Sequence, residues 1–137
     1  IAIDRRDPPE DMVTRGQIAG RGAAQQRMTS FRLLRGKEIV EVARKCLQEG
    51  RSVKSPHFIQ RSSHRAISDA DIRQLLLSPS CRAEVTRPIP RRFQGYTAYN
   101  YEVAGEIDGR RLVVWFHVVS VQSEPVVIWG SAVWKED

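Results

Sequence analysis

With two cysteines in 137 residues, Cys46 and Cys81, the chain has too few to build a disulfide framework or a four-sulfur zinc cage. Cys46 falls on an apolar helical stripe and reads as a small buried hydrophobe; Cys81 follows a turn and reads as a loop thiol. Pairing of the two stays open for a chain in an oxidising compartment. No apolar run approaches the roughly 18 residues of a membrane-spanning helix. Glycine-rich phosphate loops, a serine nucleophile elbow and a dinucleotide fingerprint are also missing, which sets aside three large enzyme classes. Histidine is scarce, with three residues, and His57 and His64 stand seven apart with no cysteine or carboxylate at ligand spacing. Neither a metal site nor a cofactor is therefore expected. The first residue is Ile and no signal peptide follows, so the sequence reads as a domain of a longer polypeptide.

What is abundant is positive charge. Lys plus Arg number 22 against 16 acids, a net charge of +6, and the pI is near 9.9. The excess is uneven: residues 1–54 carry 12 basic and 7 acidic side chains, residues 55–95 carry 7 and 3, and residues 96–137 carry 3 and 6. Arg supplies 18 of the cations and suits bidentate phosphate contacts and stacking on bases. An anionic partner is the first expectation, met by the front two-thirds of the chain.

The chain is 41% hydrophobic and 28% charged, enough for one domain with a modest core. Residues 1–36 read as a weakly structured arm or linker, because Asp7-Pro8-Pro9-Glu10 and Gly16, Gly20 and Gly22 leave room for one short helix at most. Residues 37–137 form the domain. Ile39, Ala43, Cys46 and Leu47 make the buried stripe of a helix over 37–49, ended by Gly50. Ser55 as N-cap and Pro56 at the first helical position open a second helix that runs to about 65. Ser68 and Asp71 resemble a capping box for a third, with Ile72, Leu75 and Leu76 facing inward and Ser78-Pro79 stopping it. Strands follow at 83–86, 96–107, 110–119 and 125–134, and Asp108-Gly109 is a strong hairpin signal. The expected fold is α+β, with N-terminal helices packed on a curled antiparallel sheet of three to four strands.

The second helix carries the chemistry. His57, Arg61, His64 and Arg65 stand at i, i+4, i+7 and i+8 and share one face, which leaves Phe58, Ile59 and Ser62 to pack against the sheet. Two imidazoles and two guanidiniums are the parts of a metal-free phosphodiester cleavage: one imidazole takes the ribose 2′-OH proton, one returns a proton to the leaving oxygen, and Arg offsets the charge on phosphorus. Tyr96, Tyr99 and Tyr101 crowd the sheet, and Tyr99 and Tyr101 share a face from which a ring can stack on a base. Arg91 and Arg92 close a basic, proline-broken stretch that is a second candidate for binding substrate. His117 alternates with Val113 and Trp115, opposite to Val114, Phe116 and Val118.

The run HFIQRSSHRAISDADI, His57 to Ile72, resembles the opening motif of the DUF4258 family, H-x3-R-x3-R-x-I-S-x2-D-[IV]. His57, Arg61, Arg65, Ile67, Ser68, Asp71 and Ile72 each fall on a motif position. YEVAGEIDGRRLVVWFHVV, Tyr101 to Val119, is similar to that family's hairpin, and residues 126–134 to its closing strand. The resemblance implies a fold like that of RelE-type (BECR-group) ribonuclease toxins, which occur alone or as C-terminal domains of exported polymorphic toxins. On that footing His57 leads the catalysis, and Arg61 and Arg65 stabilise the phosphate. His64, on no motif position, rests on geometry alone. The group often places a functional residue near the end of the last strand, here Ser131 and Trp134. The implied partners are an RNA substrate (tRNA, rRNA or mRNA) and a cognate immunity protein. The implied place of action is the target-cell cytoplasm, after export, or the cell's own cytoplasm.

Two other function classes compete. IDRRDPPEDMVTRG, Ile3 to Gly16, resembles the first-strand motif of toxin-type ADP-ribosyltransferases, with Arg5 or Arg6 gripping NAD. SPHFIQRSS would then be that family's Ser-Thr-Ser strand and Glu124 the catalytic acid, although the Ser55-Pro56 cap argues for helix there. A basic nucleic-acid-binding module without catalysis needs only the charge.

Overall fold

Two twelve-residue strands, β7 (Arg110–Val121) and β8 (Glu124–Lys135), form the antiparallel ladder around which the other elements gather. A computed structural model describes residues 27–87, 90–93 and 95–135; the first 26 residues of the expected arm lie outside the described residues. β6 (Asn100–Ile107) pairs with β7 through Asp108 and Gly109, whose φ values of 50° and 80° are the positive pair that a two-residue hairpin of matching twist requires. Gln122 and Ser123 make the same kind of turn between β7 and β8, with φ 53° and 68° and no glycine to relieve it.

β3 (Arg82–Val85) adds to the free side of β6, and β2 (Ser52–Lys54) adds parallel to the free side of β8. β1 (Met28–Ser30) pairs with the end of β7 beyond the reach of β6. The result is a six-stranded mixed sheet, ordered β2-β8-β7-β6-β3 with β1 off that path. A separate two-stranded hairpin joins β4 (Arg91–Phe93) to β5 (Tyr96–Ala98). The helices α1 (Lys37–Gln48), α2 (Pro56–His64) and α3 (Asp69–Leu77) lie within about one residue of their expected positions.

The domain is thus mixed α and β, but the sheet is larger than the expected three to four strands and is not purely antiparallel. Nor do the helices simply come first: β1 precedes α1, and β2 lies between α1 and α2. The expected strand over 96–107 is divided, because Tyr96–Ala98 pairs with β4 and Asn100–Ile107 with β7. The expected boundary at residue 37 also moves. Leu34 is fully buried and its amide donates to the Tyr101 hydroxyl at 2.9 Å, so residues 28–35 belong to the fold. Among the described residues no helix is long and apolar enough to cross a membrane.

Alternation along the strands gives the sheet two different faces. Leu112, Val114, Phe116 and Val118 look inward with Val127, Trp129 and Ala132, and meet Ile39, Ala43 and Cys46 of α1, Phe58 of α2 and Ile72, Leu75 and Leu76 of α3. Gly105 is the point of closest approach to α3: a Cβ there would stand 2.9 Å from Leu75 Cδ1 and 3.3 Å from Cys81 Cα. On the other face, Val119, Val121, Val126 and Ile128 form a smaller cluster with Met28, Val53 and Tyr96. Both cysteines are free thiols. Cys46 is buried as expected and its Sγ donates to the Pro125 carbonyl at 3.2 Å.

Candidate functional site

The start of α2 is pinned to the sheet. The Ser55 amide donates to the Trp129 carbonyl at 3.1 Å, and its hydroxyl accepts from the Phe58 amide at 3.0 Å. The helix therefore begins one residue past β2, with Pro56 in its first turn where no amide is needed. Phe58 is 1% exposed, its ring 6.4 Å from that of Trp129, and its burial contributes on the order of 2 kcal/mol.

At about 100° per residue, Phe58, Ser62 and Arg65 share the inward line, and His57, Arg61 and His64 lie together on one flank. All three flank residues are exposed. Ile59 falls on the opposite flank and is 54% exposed, so it does not pack against the sheet as expected. Arg65, half-buried, is anchored: its Nη1 donates to the Ala132 carbonyl of β8 at 2.6 Å. His57, Arg61 and Arg65 are electrostatically coupled nonetheless. Burial, then Arg61, then Arg65 push His57 below the usual histidine value, which keeps its imidazole neutral and able to take a proton at pH 7.

The end of α2 is walled by the last strand. Trp134 Nε1 reaches the Ala66 carbonyl at 3.5 Å, and the Arg110 guanidinium lies 4.2 Å from the centre of the Trp134 ring. Trp134 therefore adjoins the stripe, and Arg110, not expected there from sequence, comes with it. The available signal was position, because Arg110 directly follows the Asp108-Gly109 turn.

Other candidates are placed elsewhere. Tyr101 is 1% exposed and its hydroxyl accepts the Leu34 amide, so it holds the first loop rather than a base. Tyr99 is half-buried against the same core. Ser131 stands opposite Trp115 and shares its outward direction, away from α2. Arg91 and Arg92 are exposed on β4, whose Phe93 ring stacks on His117 at 4.6 Å. That places them on the outer face too, with the Arg91 guanidinium 5.0 Å from the Phe93 ring. His117 lies between the sheet and this hairpin, with no hydrogen-bond partner at Nε2. Burial, helped by Arg91, drives its pKa to about 3. Among the described residues no three His, Cys, Asp or Glu side chains are grouped so as to hold a metal ion.

For the transferase alternative, the segment needed as a strand at 55–63 is the helix α2, and Glu124 is paired with Arg51 at 3.4 Å. Arg5 and Arg6 lie outside the described residues.

No known protein family, curated protein or solved structure matches this chain. The likeness to DUF4258 domains rests on the motif residues alone, and the fold accounts for most of them. Ile67 and Ile72 are core, Ser68 and Asp71 are the two halves of the α3 capping box, and Arg65 bonds β8. Only His57 and Arg61 of the seven are left with their functional groups toward solvent.

Proposed function

We propose that this domain is a metal-independent ribonuclease of toxin type, cleaving RNA on the exposed flank of α2. The observation that carries the proposal is the exposed His57 one turn from Arg61, two motif residues that the fold does not otherwise use. His57 takes the proton from a ribose 2′-OH, and the freed oxygen attacks the adjacent phosphorus. Arg61 binds the non-bridging oxygens as charge builds there. His64, about 10 Å along the axis from His57 and beyond Arg61, donates a proton to the departing 5′-oxygen. The products are a 2′,3′-cyclic phosphate and a 5′-hydroxyl, and no proton or electron is left over. Arg65 is a positioning residue here, since its bond to β8 fixes the turn that bears Arg61 and His64.

The test is incubation of the chain with total RNA in EDTA, followed by end-group analysis. Cleavage to cyclic-phosphate ends that disappears in His57→Ala is the expected result; intact tRNA and rRNA would overturn the proposal. A second reading, RNA binding without cleavage, is favoured by one observation: Arg91 and Arg92 are exposed on the face opposite α2. Binding that weakens steeply with salt while the RNA survives would establish it. As part of an exported effector, the domain would need an immunity protein covering the His57 flank.

A further inference from the structure

A cavity of about 460 Å³ lies between α3 and the β6–β7 turn, within the size range of small-ligand sites. Its floor is apolar, from Leu77, Pro79 and Ile107, and its rim carries Arg73 on one side and Asp108 on the other, with Glu106 contributing from the strand between. Arg73 and Leu77 are one turn apart, so α3 presents both to the same space. Leu77 is 56% exposed, one of two large apolar side chains that the described fold leaves to solvent. The close approach at Gly105 draws α3 onto β6 and so sets the separation of the two rims.

The chain links the cavity to the end of α2. Ala70, on the cavity wall, is four residues after Ala66, whose carbonyl accepts from Trp134. Asp108 lies two residues before Arg110, which covers the Trp134 ring. An RNA strand laid along His57, Arg61 and His64 and continued past Trp134 would run toward this space.

We propose that this cavity is the base-recognition subsite of the same RNA surface and that its base is guanine, an inference that rests on the ribonuclease reading. Guanine offers paired acceptors, O6 and N7, on the edge that an arginine fork reads, which suits Arg73. Its N1–H and N2 amino group are paired donors on the adjacent edge, where the Asp108 carboxylate accepts. The ring face lies on Leu77 and Ile107. Adenine has no such acceptor pair for Arg73, and a pyrimidine leaves much of the floor uncovered.

The experiment is titration of the chain with the 3′-monophosphates of guanosine, adenosine, cytidine and uridine, following the amide resonances of Leu77 and Ile107. Guanosine monophosphate is expected to bind at least tenfold tighter than the others. Arg73→Gln and Asp108→Asn should each lose most of that preference, and asparagine keeps the positive-φ turn. His57→Ala should leave it unchanged. Equal binding of all four, or no shift at Leu77 and Ile107, would overturn the subsite. The two proposals fail separately: guanine preference without RNA cleavage removes the ribonuclease reading alone, and cleavage without base preference removes the subsite alone.

Discussion

His57 and His117 both titrate below the ordinary histidine range, on opposite faces of one sheet and in opposite settings. His57 stands on a helix flank near solvent, where partial burial and the cations Arg61 and Arg65 favour the neutral ring. His117 is closed in by Phe93 and Tyr96 of the β4–β5 hairpin, its Nε2 has no partner, and burial is the dominant cause. A depressed pKa alone therefore does not mark a catalytic residue. Access and neighbours decide: His117 is part of the packing, and on the ribonuclease reading His57 is the base.

The comparison breaks most visibly through activity. His57→Ala is expected to lower RNA cleavage by about 10²- to 10⁴-fold with an unchanged unfolding midpoint, and His117→Phe to do the reverse. Equal loss of cleavage in both variants would erase the distinction. The pH profile sharpens it: as a base, His57 gives a rate that falls on the acid side with a midpoint below 6.5. Next comes packing on the helical face. Gly105→Ala should cost about 1–3 kcal/mol in denaturant unfolding, since Leu75 and the Cys81 backbone must give way.

On the hairpin face the effect is pH-dependent. Folded His117 stays neutral down to about pH 3, whereas the unfolded ring takes a proton near the ordinary histidine value of 6.5. The unfolded state thus binds the extra proton between those values, and stability falls as pH drops through that window. His117→Phe should flatten this slope, read as unfolding midpoint against pH. The smallest change is at the β7–β8 turn, where Ser123→Gly relieves a positive φ of 68° and should add about 1 kcal/mol.

The three helices were legible because each is punctuated locally: Gly50 ends α1, Ser55-Pro56 opens α2, and the Ser68 and Asp71 box opens α3. The Asp108-Gly109 turn was legible for the same reason. β1, β2 and β4 were not, being three residues each and without internal periodicity; β1 and β2 take their strand character from β7 and β8, far along the chain. The α2 stripe could be read from spacing, but the anchoring of Arg65 to Ala132 and the burial of Tyr101 could not. Alternation says which residues share a face and is silent on which face is covered. The same limit hid the cavity at Arg73 and Asp108, which belong to elements read correctly but brought together only by the sheet.

The dependence of α2 on β8 also orders events in time. Arg65 and the carbonyl that anchors it are 67 positions apart, and the helix start leans on Trp129 of the same strand. While the polypeptide is being made, His57 and Arg61 leave the ribosome long before the strand that anchors their helix. On the ribonuclease reading, the nascent chain is harmless to the ribosome that makes it until β8 has been added, so a shorter chain ending before Glu124 would be tolerated by a cell that the whole domain would injure.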